Sequence, residues 1–410
     1  MESDSLVRQT VVSAAEHEAR RSVFPRGAAL EFADLEQPGR EGTLDELRAV
    51  EPVSWVPALG CWLVTSREAA RELLAPRSGA TVQAHENLVR ASLGRMMLTV
   101  DGDEHTRLRG PFEGAFKPHA VHETFTDAIE EVTNELLDEI VPGGATELGA
   151  SFAAPFAVQM AGRTLGLSLG DARRIDEFYA SFARAMVYDG DPLPQARADQ
   201  ARVELDAILH TEVRRARRHP TSSITSLVAR DADGLSDDDI VAQLRVIMFG
   251  AVETIQASIL STLLLLLQHP TELAAVRADP SLLTQAGEEA RRLIPPVAFF
   301  ERWTTRPLTI AGVAIPANEF VGVSVIAVNR DPATFTNPLR FDLERTNSQR
   351  SMSFAFGPHA CLGLHLARLE TSIALRTILE RMQDLTLADH TAPSGFAFRR
   401  PSALHLSWVP

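Results

Sequence analysis

The stretch Phe354-Ala-Phe-Gly-Pro-His-Ala-Cys361-Leu-Gly363 presents one cysteine on a glycine-containing loop, directly before a long helical pattern. Apolar residues at helical spacing continue from about Leu362 to Leu379, so Cys361 is predicted to lie at the N-terminus of a helix. Unpaired amide groups and the positive end of the helix dipole favour the thiolate form of a cysteine there. The stretch therefore predicts a cysteine that is able to bind a metal ion.

Two interpretations of Cys361 compete. A lone cysteine is more often a small buried hydrophobe than a ligand. The neighbouring residues favour ligation of haem iron, because Phe354 would cover the sulfur, the glycines would let the loop approach a flat macrocycle, and His359 would reach polar groups on the ring's edge. A zinc site is disfavoured, since the other cysteine, Cys61, is distant in the sequence and the chain has no CxxC or HExxH pattern.

With these residues the stretch resembles the cysteine loop of the cytochrome P450 family, Phe-x-x-Gly-x-His-x-Cys-x-Gly. The resemblance implies that Cys361 is the thiolate ligand of haem b and that the fold is mainly α with a small β portion, the haem lying between a long central helix and the helix after the cysteine loop. It extends from about residue 54 to residue 410. We expect a single domain over residues 1–410, with a polar N-terminal extension at 1–40. The family usually has glycine where Ala355 stands.

Composition limits the classes of function. The 410 residues are 45% hydrophobic, which is enough for a large core, and two unpaired cysteines point to a reducing compartment. The net charge of -14 argues against nucleic-acid binding, which requires a basic surface. The segment Met1–Arg26 is polar and charged, so we expect a cytoplasmic protein without a membrane anchor.

Hydrophobic periodicity predicts a mainly helical chain. A hairpin is expected from Val53–Trp55 and Cys61–Thr65, a short helix at Arg67–Leu74, and a long loop at 75–103. Longer helical patterns lie at about 104–117, 121–140, 150–166, 171–187, 192–218, 236–268, 282–293 and 362–382. Strand-like segments lie near 297–303, 307–325 and 385–408.

The predicted helix at 236–268 contains a second constellation, Phe249-Gly-Ala-Val-Glu-Thr254. Polar residues interrupt its apolar run well short of the ~20 residues that a bilayer requires, so it is predicted to be a buried core helix. Small residues, Ala251 among them, narrow the helix, and in an oxygen-activating pocket the Glu253–Thr254 pair would organise proton-delivering waters. The alternative is a small-residue helix crossing with a satisfied threonine. The family more often shows Ala-Gly-x-Glu/Asp-Thr-Thr here.

A third constellation is an ion pair at helical spacing. Glu289 and Arg292 lie three residues apart, on one helix face, before Pro-Pro. Most such pairs are solvated surface charges. The resemblance implies that Arg340 joins the pair and that the cluster stabilises the core beneath the cysteine loop. This register is preferred to Glu288 with Arg291, which makes Arg291 an outward-facing neighbour.

Further positions are assigned only through the resemblance. Haem contacts are implied for His105, Arg109, Ala251, Arg302, Phe354, Gly357, His359 and Gly363, with the propionates near His105, Arg109, Arg302 and His359. Substrate contacts are implied for Met96, Met97, Met248, Phe249, Val252, Phe299, Phe300 and Phe396, within segments at about 80–98, 170–195, 246–255, 297–300 and 394–398. Methionine and phenylalanine at such spacings are equally typical of a protein core.

The resemblance implies a monooxygenase that uses O2 to oxidise an apolar small molecule, by hydroxylation or epoxidation. Electrons would come from NAD(P)H through a ferredoxin and ferredoxin reductase, or a flavodoxin, and arginines near the cysteine loop and in the 105–117 helix form a candidate docking face for an acidic donor. One alternative is a P450-type enzyme that catalyses coupling or peroxide-driven chemistry. Another is a non-catalytic haem-binding sensor or carrier, which would be expected to lack the acid–alcohol pair.

Overall fold

The computed structural model describes Leu6 and residues 8–186, 193–231 and 234–410. The helices are α1 (Ala14–Val23), α2 (Pro25–Ala28), α3 (Phe32–Glu36), α4 (Arg40–Val50), α5 (Arg67–Leu74), α6 (Leu88–Leu93), α7 (Gly102–Glu113), α8 (Pro118–Ile140), α9 (Ala154–Leu165), α10 (Leu169–Ala172), α11 (Ile175–Ala185), α12 (Leu193–Arg218), α13 (Ile224–Asp231), α14 (Asp237–Gln268), α15 (Pro270–Ala278), α16 (Leu283–Leu293), α17 (Val325–Val328) and α18 (Leu364–Arg381). The strands are β1 (Val53–Val56), β2 (Cys61–Val64), β3 (Ala80–Thr81), β4 (Ala145–Glu147), β5 (Phe299–Thr304), β6 (Leu308–Ile310), β7 (Val313–Ile315), β8 (Phe320–Ser324), β9 (Gln383–His390) and β10 (Leu404–Val409). The expected mainly α architecture with a small β portion is confirmed.

The chain forms two compact units. Unit 1 is made of Met1–Glu86, Ser261–Cys361 and His390–Ser402. Unit 2 is made of Asn87–Leu260, Leu362–Asp389 and Ala403–Pro410. The expectation of a single domain over residues 1–410 stays a prediction.

A five-stranded sheet organises unit 1, in the order β1-β2-β8-β5-β3. The predicted hairpin is present, with Val53 opposite Val64 and Val56 opposite Cys61. Residues of β2 alternate between two buried apolar clusters, because successive side chains of a strand point to opposite faces. Both faces of the sheet are therefore covered. Cys61 is fully buried there, and burial raises the pKa of its thiol, so it is an unreactive core residue.

The N-terminal segment contributes more structure to unit 1 than its polar composition suggests. Helices α1 to α4 lie there, and Arg20 of α1 is 7% exposed. Its guanidinium donates to the Glu319 carboxylate at 2.8 and 2.9 Å and stacks 4.5 Å from the ring centroid of Trp55. A cation–π contact combined with a buried ion pair fixes α1 on the sheet.

Unit 2 is built from long helices, with α8 packed on α18 and α9, and α11 packed on α12. A three-stranded sheet, β4-β10-β9, completes it. The predicted loop at 75–103 contains β3 and α6, and the predicted helix at 171–187 is divided into α10 and α11. Residue 187 lies outside the described residues, as do residues 187–192 of the expected substrate segment.

Helix α14 is long and apolar enough to span a bilayer by length and composition. However, 72% of its most apolar window is buried inside the protein, which is typical of a core helix.

Candidate active site

The cysteine loop forms a tight turn at the end of unit 1. The Cys361 amide donates to the carbonyl of Phe354 at 2.8 Å, and the Ala360 amide donates to the carbonyl of Gly357 at 3.0 Å. Gly357 has φ +77°, and a Cβ there would lie 2.2 Å from the carbonyl oxygen of Leu74. Only glycine fits this position, because both the backbone conformation and the contact exclude a side chain.

Ala355 occupies the position where the resemblance suggests glycine, and its φ is +61°. An L-residue rarely adopts this left-handed conformation, so the loop contains one strained residue. Helix α18 begins at Leu364 with Gly363 as its N-cap, two residues later than predicted. Cys361 therefore precedes the first turn of the helix.

Hydrogen bonds fasten the loop to the rest of unit 1. The amide side chain of Asn329, which is fully buried, accepts from the Met352 amide at 2.7 Å and donates to the Ser353 hydroxyl at 2.9 Å. Ser353 in turn donates to the backbone carbonyl of Arg291 at 2.7 Å. The Arg291 guanidinium stacks 5.2 Å from the ring centroid of Phe354. The role of Asn329 is not evident from the sequence, because no local pattern distinguishes it from a turn residue.

The loop has the properties of a haem-binding loop. Cys361 is only partly buried, whereas Cys61 is buried. Phe354, Gly357, His359 and Gly363 are also partly exposed. Among the described residues no three His, Cys, Asp or Glu side chains cluster to hold a metal ion. A metal bound through Cys361 would need further ligands from a cofactor, and a porphyrin supplies ring nitrogens. The residues present fit haem.

Helix α14 carries the acid–alcohol pair in unit 2. The Thr254 hydroxyl donates to the Gly250 carbonyl one turn earlier at 2.5 Å. Gly250 is exposed, and a Cβ there would meet no described atom within 4 Å. Ala251, Glu253 and Thr254 are partly exposed, although 72% of the most apolar window of the helix is buried. One short stretch of the core helix therefore has an accessible face with a hydroxyl and a carboxylate beside it.

Most of the expected substrate contacts in unit 2 are buried side chains. The side chains of Met96, Met248 and Val252 have no exposed surface, and Met97 and Phe249 are 5% and 6% exposed. Phe249 stacks on Tyr179 with ring centroids 5.2 Å apart. Their contact with a substrate stays a prediction. Between residues 246 and 254 the accessible residues are Val246, Ile247, Gly250, Ala251, Glu253 and Thr254, and all but Glu253 recur at helical spacing.

The expected contacts in unit 1 are divided between the two faces of its sheet. Phe299 is 8% exposed and its ring lies over Gly322, where a Cβ would approach within 2.2 Å. Phe396 packs against it with ring centroids 4.8 Å apart. Phe300 is partly exposed and packs against the opposite apolar cluster. A substrate contact at any of these positions stays a prediction.

The four expected propionate contacts lie on α7, on β5 and in the turn of the cysteine loop. His105 and Arg109 share one face of α7, with His105 buried and Arg109 in an ion pair with Glu113 at 3.1 Å. Arg302 is partly buried in β5 and donates to the carbonyl of Glu301 at 2.6 Å. His359 is partly exposed beside Cys361. Their role toward haem stays a prediction.

Glu289 and Arg292 form a fully buried bidentate ion pair in unit 1. Arg292 Nε and Nη2 donate to the two carboxylate oxygens at 2.8 and 2.9 Å, and both residues are 0% exposed. The expected third partner requires a correction. Arg340 is exposed and contributes only its backbone carbonyl, which accepts from Arg292 at 2.9 Å. Arg345 is the second arginine, with Nε 3.0 Å from the Glu289 carboxylate.

The neighbouring pair is also buried, which corrects the expectation that Arg291 faces outward. Arg291 is 3% exposed and donates to the Glu288 carboxylate at 2.6 Å. Helix α16 therefore buries two ion pairs in adjacent registers. Arg292 bonds the Asn329 carbonyl at 3.2 Å, so both pairs connect to residues that hold the cysteine loop.

Several known proteins are similar to this chain in sequence and in fold. The family model Cytochrome P450 matches residues 205–393. A Bacillus subtilis protein named biotin biosynthesis cytochrome P450 is 31% identical over 84% of this chain and 89% of its own length. The 6-deoxyerythronolide B hydroxylase of Saccharopolyspora erythraea is 34% identical over 84% of this chain and 89% of its length. A solved structure of P450BioI with hexadec-9Z-enoic acid ligated acyl carrier protein superposes with TM-score 0.84 at 29% identity, covering 90% of this chain and 99% of that one. From the extent of these similarities, and because the residues matched by the family model include the cysteine loop, the chain belongs to the cytochrome P450 family of monooxygenases.

Proposed function

We propose that this protein inserts one oxygen atom from O2 into an apolar small molecule, by hydroxylation or epoxidation, in secondary metabolism. The observation that carries the proposal is the accessible Cys361 on a tightly hydrogen-bonded loop before α18. Cys361 would hold haem b, which supplies the binding and activation of O2 when present. Phe354 and the Asn329 network keep the thiolate in place during turnover.

Cys361→His tests the ligand assignment. The wild-type ferrous carbon monoxide complex should show the strongly red-shifted Soret band of a thiolate-ligated haem, and the variant should lose it. Cys61→Ser is the matched control, because Cys61 is a buried core residue whose loss leaves the spectrum unchanged. A histidine-type spectrum in folded wild-type protein would contradict the assignment.

The Glu253–Thr254 pair is proposed to hold and pass protons. Because the Thr254 hydroxyl donates its own proton to the Gly250 carbonyl, its oxygen is oriented to accept a hydrogen bond from a water. Glu253, the residue before Thr254, is partly exposed and provides a carboxylate for proton exchange with solvent.

Thr254→Ala should therefore consume NAD(P)H at a similar rate while releasing more hydrogen peroxide and less product. Thr254→Ser should restore the coupling of NAD(P)H consumption to product formation, because serine retains the hydroxyl. Ser258→Ala is the matched control, since the Ser258 hydroxyl makes the same type of bond to the Thr254 carbonyl at 2.8 Å but is 3% exposed. If all variants couple NAD(P)H consumption to product formation equally well, proton delivery depends on groups other than the Thr254 hydroxyl.

Electrons are proposed to come from NAD(P)H through a ferredoxin and its reductase, or a flavodoxin. The proposal rests on membership of the family and on the arginines near the cysteine loop and in the 105–117 helix. Reduction by an acidic ferredoxin should slow as ionic strength rises, because exposed charges are screened. A rate independent of salt would contradict this docking mode.

We also infer a cytoplasmic protein, supported by the burial of most of the apolar window in α14.

An apolar substrate is supported by the accessible face of α14, where Val246 and Ile247 adjoin Gly250 and Ala251. The similar proteins named above include a hydroxylase of 6-deoxyerythronolide B and a P450 bound to an acyl carrier protein. Spectral titration with macrolactones, free fatty acids and acyl carrier proteins tests the class. A shift of the haem from low to high spin identifies a substrate-like ligand, and no shift with any apolar compound would contradict the proposal.

A further inference from the structure

Residues 94–101 connect α6 to α7 in unit 2 without forming a helix or a strand, yet much of this segment is buried. The side chains of Met96, Thr99 and Val100 have no exposed surface. Backbone N–H and C=O groups in such a segment lack the regular partners of a helix or a sheet, so other groups must satisfy them. Two side chains of α14 contribute to this.

Gln243 and Arg245 of α14 bond the backbone at two points four residues apart. The side-chain carbonyl of Gln243, which is fully buried, accepts from the Met97 amide at 2.7 Å. The side-chain amide of Gln243 donates to the Asp239 carbonyl one turn earlier at 2.7 Å, which fixes the orientation of the group. Arg245 Nη1 donates to the Leu93 carbonyl. Both ends of the stretch 93–97 are therefore held on α14.

The guanidinium of Arg245 also reaches α12. Its Nε and Nη2 donate to the two carboxylate oxygens of Asp206 at 2.8 and 2.7 Å. Arg245 is 5% exposed, and burial lowers the pKa of its guanidinium while the Asp206 carboxylate opposes this effect. A buried charge is held in place only with its partner present. The bond from Arg245 to Leu93 therefore depends on Asp206, a residue of another helix.

The remaining side-chain tie of the segment to α14 is weaker. Arg95 pairs with Glu104 of α7 and lies 3.6 Å from the Asp239 carboxylate of α14. The Arg95 side chain is 42% exposed, and exposed ion pairs contribute little stability. Gln243 and Arg245 are therefore the anchors on which the position of the segment mainly depends.

The segment borders the accessible face of α14. Gln243, Ile247, Gly250 and Thr254 follow one another at helical spacing, so they share one face of the helix. Ile247, Gly250 and Thr254 are accessible, whereas Gln243 is buried where it bonds Met97. The segment therefore covers the N-terminal end of the face that carries Thr254.

We propose that residues 94–99 form a lid on this end of the α14 face, and that the Arg245–Asp206 pair ties the lid to α12. Displacement of α12 breaks the ion pair, loosens the anchor at Leu93 and releases the lid. Release uncovers about one further helical turn of the face, roughly 5.4 Å along the helix. The consequence for ligands, that long apolar molecules need the open lid, rests on the proposed function. The tie between α12 and the lid does not.

Hydrogen exchange of the full-length, haem-loaded protein tests the tie. Asp206→Ala should speed exchange of the lid amides at residues 96–99 at least tenfold, although Asp206 bonds none of them, because local opening sets the exchange rate. Glu204→Ala is the matched control. Glu204 also lies on α12 and pairs with an arginine, Arg174, but this pair does not reach the lid, so exchange there should be unchanged.

Arg245→Met separates a shared tie from two independent effects. It should speed exchange of the lid amides as much as Asp206→Ala does, and the double variant should add nothing further, because both changes remove the same interaction. The double variant also leaves no unpaired charge in the interior, so it is expected to fold. The proposal is overturned if exchange in Asp206→Ala rises only within α12, if it rises equally throughout the protein, or if the two changes are additive.

Binding of 1-hexylimidazole and of imidazole, followed by the shift of the Soret band, tests the consequence for ligands. Asp206→Ala should speed the association of 1-hexylimidazole at least threefold relative to imidazole, because only the longer molecule needs the uncovered turn. An equal change for both imidazoles would overturn the lid's effect on long ligands. A wild-type protein whose Soret band responds to neither would count against the proposed haem function, while the exchange rates at residues 96–99 would still decide whether the lid is tied to α12.

Discussion

Arg345→Met removes one of the two guanidiniums that surround the buried carboxylate of Glu289. Four hydrogen bonds are lost with it. Nε bonds the Glu289 carboxylate at 3.0 Å, Nη1 bonds the Thr336 carbonyl at 2.8 Å, and Nη2 bonds the Asn337 and Arg340 carbonyls at 3.2 and 3.3 Å. Methionine retains the apolar stem, so the substitution tests the charged group.

The expected cost follows from what remains. A hydrogen bond to a charged partner contributes about 1.5–3 kcal/mol, and three part-buried carbonyls that regain only some contact with water add about 1–2 kcal/mol together. Glu289 keeps its bidentate partner Arg292 and the Asp342 amide at 3.2 Å, so the carboxylate is not left alone. We expect the free energy of unfolding to fall by about 3–4 kcal/mol.

Arg340→Met is the matched control. The Arg340 side chain is exposed, and its backbone carbonyl is unaffected by the substitution. A surface change of this kind alters stability by no more than about 0.5 kcal/mol. Arg292→Met should be at least as damaging as Arg345→Met, because it removes both bonds of the bidentate pair.

Equilibrium unfolding in urea, with haem occupancy measured in parallel, distinguishes these outcomes. At a slope of about 3 kcal/mol per molar, Arg345→Met should move the midpoint down by roughly 1 M, while Arg340→Met leaves it in place. If Arg340→Met is the more destabilising of the two, the cluster is organised as the family pattern implies and the role assigned to Arg345 is wrong.

Three further variants probe the loop and the helix after it. Gly357→Ala should destabilise the protein by about 1–3 kcal/mol and reduce thiolate-ligated haem in the carbon monoxide spectrum, because its Cβ would meet the Leu74 carbonyl; normal stability and occupancy would contradict the contact. Ala355→Gly should raise the free energy of unfolding by about 0.5–1 kcal/mol, since relief of the left-handed conformation exceeds the added entropy of the unfolded chain; a loss of stability would show that the methyl group contributes packing. Burial raises the pKa of Glu370 to about 8 from 4.5, so the unfolded state releases this proton first and stability should fall as pH rises from about 4.5 to about 8. Glu370→Gln should remove the contribution of about one proton from the pH dependence of the free energy of unfolding over that interval. An unchanged slope of this free energy against pH would argue against the raised pKa of Glu370.

Local sequence determined the elements whose residues interact with near neighbours. The hairpin at Val53–Val64, the helix Arg67–Leu74 and the long helix at 236–268 were predicted within a few residues. Periodicity and turn chemistry are properties of short segments, so they can be recognised without knowing the partner of each segment. The cysteine loop was recognised for the same reason, because its glycines, its histidine and its cysteine lie within ten residues.

Tertiary structure decided which side chains face one another. The packing of α14 buries Met248 and Val252, whose contact with substrate stays a prediction, and leaves Ile247, Gly250 and Thr254 accessible. A helix with apolar residues around its whole circumference does not reveal which face meets a neighbour. Its orientation follows from the elements packed around it.

For the same reason the sequence alone does not show whether Arg340 or Arg345 pairs with Glu289 in the buried cluster. Arg340 and Arg345 lie in a segment without regular periodicity, five residues apart, and either spacing is compatible with reaching Glu289. Arg20 of α1 likewise pairs with Glu319 across 299 positions of sequence. Long-range ion pairs depend on the folded path of the chain, because a charge is buried only where distant segments bring its partner within hydrogen-bond distance.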